Sequence, residues 1–137
     1  MTIQQNCGRP PRQVVFSMDL DSAWITKGAT PAMVNFAESA ARAMVAGGLT
    51  NSQIRNFYGE IKRIQMNGYE NSLASFYLLR PKLAYACGRN NNDGLKLFKK
   101  IFEGSVSGNN VTDQRTFNNL CLFMEAILAY HKANGGK

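Results

Sequence analysis

With 137 residues, 45% of them hydrophobic, the chain is long enough for one domain with its own core and too apolar for wholesale disorder. Sixteen Lys and Arg against nine Asp and Glu give a formal net charge of +7, which favours polyanionic partners, nucleic acid first and an acidic membrane surface second. Three widely spaced cysteines (Cys7, Cys87, Cys121) argue against a disulfide framework or a zinc site and suit a reducing cytoplasm.

Residues 1–13 are polar and contain Gly8-Arg9-Pro10-Pro11, which reads as a loose basic tail; they lack the apolar stretch of a signal peptide. Val14-Val15-Phe16 reads as a short extended piece, and Asp19 to Ile25 as one helical turn around Trp24. Residues 1–29 are thus expected to be a tail and short irregular segment before a helical domain over 30–137. Thr30-Pro31 opens the first long helix, with Thr as N-cap and Pro at the first position. Val34, Ala37, Ala41, Met44 and Val45 give it helical spacing, and Gly47-Gly48 stops it. Thr50-Asn51-Ser52-Gln53 is a capping box for the second, whose stripe is Ile54, Phe57, Tyr58, Ile61 and Ile64, ended by Asn67-Gly68. A third helix over Asn71 to Cys87 carries Leu73, Phe76, Tyr77, Leu83, Ala84 and Cys87, with Gly88 as its C-cap. Pro81 predicts a kink near Leu78. After a polar Asn90–Gly94 turn, a short helix spans Leu95 to Phe102, and Gly104 to Asn110 reads as loop. The last helix starts at Thr112 or Asp113 and runs to about Asn134, with apolar residues on both sides, so it is central or shared with a partner chain. No strand alternation competes, no run of about eighteen apolar residues can span a membrane, and the architecture expected is an all-α, compact bundle of about five helices.

No enzyme class is supported. The single histidine, His131, reads as a helix-terminal residue at the core edge, helped by the helix dipole, with no nucleophile or acid at a telling spacing. Asp19 and Asp21 read as a helix-start cap pair, and no loop-ligand spacing follows them. No catalytic residue, metal ligand or cofactor is therefore assigned. Basic residues are more informative. Arg55 and Lys62 share a face of the second helix, Arg63 borders it, and Gly59 between them would let a phosphate chain approach closely; on charge alone the same face reads as an ordinary solvated one. Arg80, Lys82 and Arg89 form a second cluster. Arg80 falls seven residues after Leu73, which predicts either burial with a partner such as Glu125 or displacement by the Pro81 kink. Lys96, Lys99 and Lys100 read as a solvated face; Lys132 and Lys137 match the last helix's dipole. Without an aromatic strand platform or a GXXG loop, binding should be to backbone and shape.

Three segments carry a resemblance: Leu49 to Phe57, Leu79 to Asn90 ending Tyr85-Ala86-Cys87-Gly88-Arg89-Asn90, and Phe123 to Tyr130 with the following lysine and Gly135-Gly136-Lys137. Together they resemble the small subunit of the type III-A CRISPR–Cas (Csm) effector complex, over residues 49 to 137. The resemblance implies a helical protein stacked in several copies within an antiviral ribonucleoprotein, lining the groove that holds guide RNA paired with target RNA. In such complexes target cleavage belongs to a backbone subunit, and cyclic-oligoadenylate synthesis and DNA cleavage to the large subunit. The partners implied are guide and target RNA, other Csm subunits and copies of the chain itself, with no membrane. Carried over by motif, Arg55 and Arg89 are the first RNA contacts; Lys62, Arg63, Arg80, Lys82 and Lys132 follow on charge and position. A self-associating helical adaptor or DNA-binding helical protein outside CRISPR is the alternative.

Overall fold

Thr30 and Thr50 act where the sequence places them. In the computed structural model the Thr30 hydroxyl accepts the Met33 amide, 3.1 Å away, at the start of α2 (Pro31–Ala46). Thr50 and Gln53 exchange both capping-box hydrogen bonds, 3.2 and 3.0 Å, at the start of α3 (Asn51–Asn67). Asp113 and Thr116 form a second such box for α7 (Gln114–Ala133). Between these lie α4 (Leu73–Tyr77), α5 (Leu79–Arg89) and α6 (Asp93–Val106), and α1 (Ala23–Thr26) is the single turn expected around Trp24. The structure describes residues 16–90 and 92–136, and no strand occurs among them. The expectations for the basic tail, Cys7, Val14-Val15, Asn91 and Lys137 lie outside the described residues.

The long last helix is the centre of the bundle. It packs on α1, α2 and α3, which cover most of both apolar flanks; Leu122, half exposed, and Ala129 stay open. Trp24, Phe36 and Phe123 meet with ring centroids 5.1–6.0 Å apart, so the turn of α1 is sealed into the core, and Phe16 adds an edge contact to Phe36 at 5.2 Å. A second aromatic group joins α3 to α6 through Phe57, Phe98 and Phe102. Tyr69, Phe76 and Phe117 close the other end. Arg115 and Asn119 of α7 donate to the carbonyls of Thr26 and Ile25, tying α1 down.

Four local expectations are corrected. The interruption expected near Leu78 is there, but it is a full break that makes two helices of the third, with Pro81 at the third position of α5, where an amide lacks an intrahelical partner in any case. The break re-phases the buried stripe to Phe76, Leu79 and Leu83; Leu73, Tyr77 and Ala84 are exposed. Gly88 lies inside α5, and Asn90 is the C-cap. Finally, α6 is longer than expected: Asn92 caps it by accepting the Leu95 amide at 2.8 Å, and it runs on to Val106. A 3-10 turn follows at Ser107–Asn109, where Gly108 and Asn109 both take positive φ.

Candidate nucleic-acid interface

The helical repeat sorts the outer surface of α3 into a crest and two flanks. Arg55, Gly59 and Met66 form the crest, all exposed, Met66 at 84%. On the α7 flank lies Lys62, whose Nζ donates to Gln65 Oε1 at 3.1 Å and stands 6.0 Å from the Tyr58 ring. Gln65 in turn reaches Asn118 of α7. Tyr58 is half-buried there, its hydroxyl pushed above its ordinary value first by burial and then by the charge of Glu125. On the α5 flank lie Asn56, Glu60 and Arg63. Arg63 pairs with Glu60 at 2.9 Å, and Lys82 reaches the same carboxylate from α5 at 3.4 Å. Burial raises the Glu60 pKa, but the hydrogen bonds and charges of Lys82 and Arg63 outweigh it and hold the carboxyl below its ordinary value.

Between α3 and α5 runs a groove of about 310 Å³, lined on one side by Gln53, Asn56 and Glu60 and on the other by Lys82, Tyr85 and Arg89. Lys82, Tyr85 and Arg89 are three and four residues apart and so share the flank of α5 that faces α3. The guanidinium of Arg89 lies 5.8 Å from the Tyr85 ring. Lys132 is exposed on α7 at heptad spacing from Glu125 and Asn118, which puts it on the flank toward α3.

Six of the seven expected basic residues therefore gather on or beside the outer face of α3: Arg55, Lys62, Arg63, Lys82, Arg89 and Lys132. Arg80 does not. It is exposed on the opposite flank of α5, at a cleft lined by Tyr69, Phe76, Tyr77 and Phe102, and it pairs with neither Glu125 nor any other carboxylate among the described residues. The burial option for Arg80 fails because the helix break moves both it and Leu73 off the core stripe. A Cβ at Gly59 would meet nothing within 4 Å, so no contact within the described chain requires glycine there. Sequence reasoning missed Tyr85, 68% exposed, and Met66; an aromatic four residues before an arginine was the available signal for the first.

His131 is fully buried rather than at the core edge; its Nε2–H donates to Leu49 O at 2.7 Å. Burial pushes the Cys121 thiol up to about 12. The expected cap pair is not formed: Ser22 is the N-cap of α1, Asp21 one residue before it accepts the Ala23 amide at 2.9 Å, and Asp19 makes no side-chain hydrogen bond among the described residues. No group of residues that could hold a metal ion occurs among the described residues, and no described helix is long and apolar enough to cross a membrane.

The model of the protein family Csm2 Type III-A matches residues 28–137, which takes in α2 as well as the segments from Leu49 onward. No curated protein and no solved structure matches the chain.

Proposed function

The chain belongs to the Csm2 Type III-A family, a small subunit of type III-A CRISPR–Cas complexes, and from that premise we propose that it binds the backbone of the guide RNA–target RNA duplex through the outer face of α3 without catalysing a reaction. The observation that carries this reading is the convergence of Arg55, Lys62, Arg63, Lys82, Arg89 and Lys132 on one face, while Glu60 beneath them is already neutralised by Lys82 and Arg63. Arg55, exposed and without an ion pair among the described residues, and Arg89, held only against a ring, are the cations most available to phosphate. Gly59, open above its Cα, lets a strand pass closely between Arg55 and Lys62. The partners of this reading are guide and target RNA, the other Csm subunits and copies of the chain itself, in the cytoplasm.

The test is RNA binding by the assembled complex carrying Arg55→Ala and Arg89→Ala together. Each lost phosphate contact lowers the slope of log affinity against log salt by roughly 0.7–0.9. The loss should be equal for unrelated sequences, because phosphate contacts position without specifying. Unchanged affinity and slope would overturn the reading; so would a large loss of folding stability, which would make these arginines structural.

A further inference from the structure

We propose that the α3–α5 groove accepts one unpaired nucleotide of the bound RNA, with its base against Tyr85 and its phosphate at Arg89. This rests on the RNA-binding reading above and adds to it a place for a base.

Tyr85 has no role in the core. It is 68% exposed, although its neighbours Leu79 and Leu83 on the same helix are buried, and Arg89 rather than an apolar side chain lies beside its ring. An exposed ring with an adjacent cation is what a base and its phosphate require: stacking is sequence-tolerant, and arginine adds both charge and a planar surface. The groove's volume, about 310 Å³, sits at the lower end of the range for ligand clefts, about 300–1,000 Å³.

Its polar lining is divided. At one end Asn56 makes no hydrogen bond with the described residues, and Gln53 commits only its carbonyl, to the Thr50 amide and the Asn92 side chain, leaving its NH₂ free. These amides supply donors and an acceptor to the edge of any base. Toward the other end Glu60 stands with Lys82 and Arg63. Lys82 is thus occupied by a carboxylate, which leaves Arg89, with no ion pair among the described residues, as the groove cation open to a phosphate. A base inside a duplex is stacked on both faces and cannot present one to Tyr85; the occupant is an unpaired, unstacked nucleotide.

The experiment uses the full chain with two probes: a single-stranded oligouridylate carrying one 2-aminopurine, and a blunt RNA duplex. The variants are Tyr85→Leu, Tyr85→Phe and Arg55→Ala, each first checked for parental helicity by circular dichroism. Tyr85→Leu should weaken single-strand binding about 5- to 150-fold, the range for losing one stacked base, and relieve 2-aminopurine quenching. Its duplex affinity and salt slope should stay at the parent's, because no charge is lost, and Tyr85→Phe should retain both binding and quenching. Parental single-strand affinity and quenching in Tyr85→Leu, with Arg55→Ala still weakening both probes, overturns the base site and leaves the backbone reading standing. Equal weakening of both probes by Tyr85→Leu overturns it too, since Tyr85 would then only position Arg89. If the variant keeps RNA binding but no longer assembles with the other subunits, the groove is a protein contact and the proposal falls. No binding of either probe by the parent sinks the backbone reading together with the base site.

Discussion

At the scale of single residues, three positions have consequences that their residue types alone do not reveal. Gly94 is buried where α6 meets the α2–α3 connection: its amide donates to Gly47 O at 3.0 Å, and a Cβ would collide with the Met44 carbonyl and the Leu49 backbone. Backbone cannot yield as a flexible side chain does, so Gly94→Ala should destabilise by about 2–3 kcal/mol, read as a lower urea midpoint at unchanged m-value. His131 ties the end of α7 to the same connection through Leu49, and Gly136 passes directly over its ring with its amide on the His131 carbonyl. His131→Leu leaves the Leu49 carbonyl without that donor, and the expected cost is about 1–3 kcal/mol in the same measurement. Gly59 behaves oppositely. With open space around it, Gly59→Ala should stabilise the protein by about 0.5–1 kcal/mol. If RNA passes close to it, the same change weakens RNA binding, a split between stability and affinity that calorimetry and titration read separately.

Among the elements, α3 bears most of the functional reading, and its position depends on its first turn and on its partner α5. Thr50→Ala removes one half of the capping box and should cost about 1 kcal/mol. The α3–α5 contact is electrostatic as well as apolar, because Glu60 accepts from both Lys82 and Arg63. Glu60 lies below its ordinary value of 4.5 in the folded protein, so the unfolded chain binds more protons around pH 4. Its contribution is complete above the unfolded value and is lost as pH falls through the lower, folded value. For a pair this exposed it is worth about 0.2–1 kcal/mol. Acid titration of stability should therefore show a shallower loss below pH ~4.5 in Glu60→Gln than in the parent. Equal slopes would mean that Glu60 does not hold the two helices together.

For the whole molecule, six arginine and lysine side chains gather around α3, while the outer side of α4 and α5 exposes Tyr77 and Leu78, 62% and 52% accessible. Of the two readings of the apolar last helix, central or shared with a partner chain, the first holds: α1, α2 and α3 cover it, and Leu122 is its one large apolar side chain left widely exposed. If copies of the chain associate, Leu73, Tyr77 and Leu78 on α4–α5 offer one contiguous apolar stretch for it. Sedimentation of Leu78→Ser should then show less self-association than the parent at high concentration, and Leu122→Ser should match the parent. Family membership places the chain within CRISPR–Cas complexes and removes the reading of an adaptor or DNA-binding protein outside them.

Local signals in the sequence determined where most helices begin and end. Thr30-Pro31, the Thr50–Gln53 box, Gly47-Gly48, Asn67-Gly68 and the Pro81 break act through groups within a few residues of one another, so no tertiary context is needed to read them. The faces of α3 and α7 were legible for the same reason: long uninterrupted helices keep their period, and Ile54, Phe57, Ile61 and Ile64 or Phe117, Leu120, Met124 and Ile127 are buried as spaced. Past the break at Leu78 that logic stopped. A small change in backbone direction rotates every later side chain, which is why Arg80 and Tyr85 could not be assigned to core or surface from spacing. Only the packing of α5 against α3 brought Lys82, Tyr85 and Arg89 opposite Asn56 and Glu60, residues 22 or more positions away. Proximity across such a separation is set by the core that Phe57, Leu83 and Phe98 build between the helices, and no local rule encodes it.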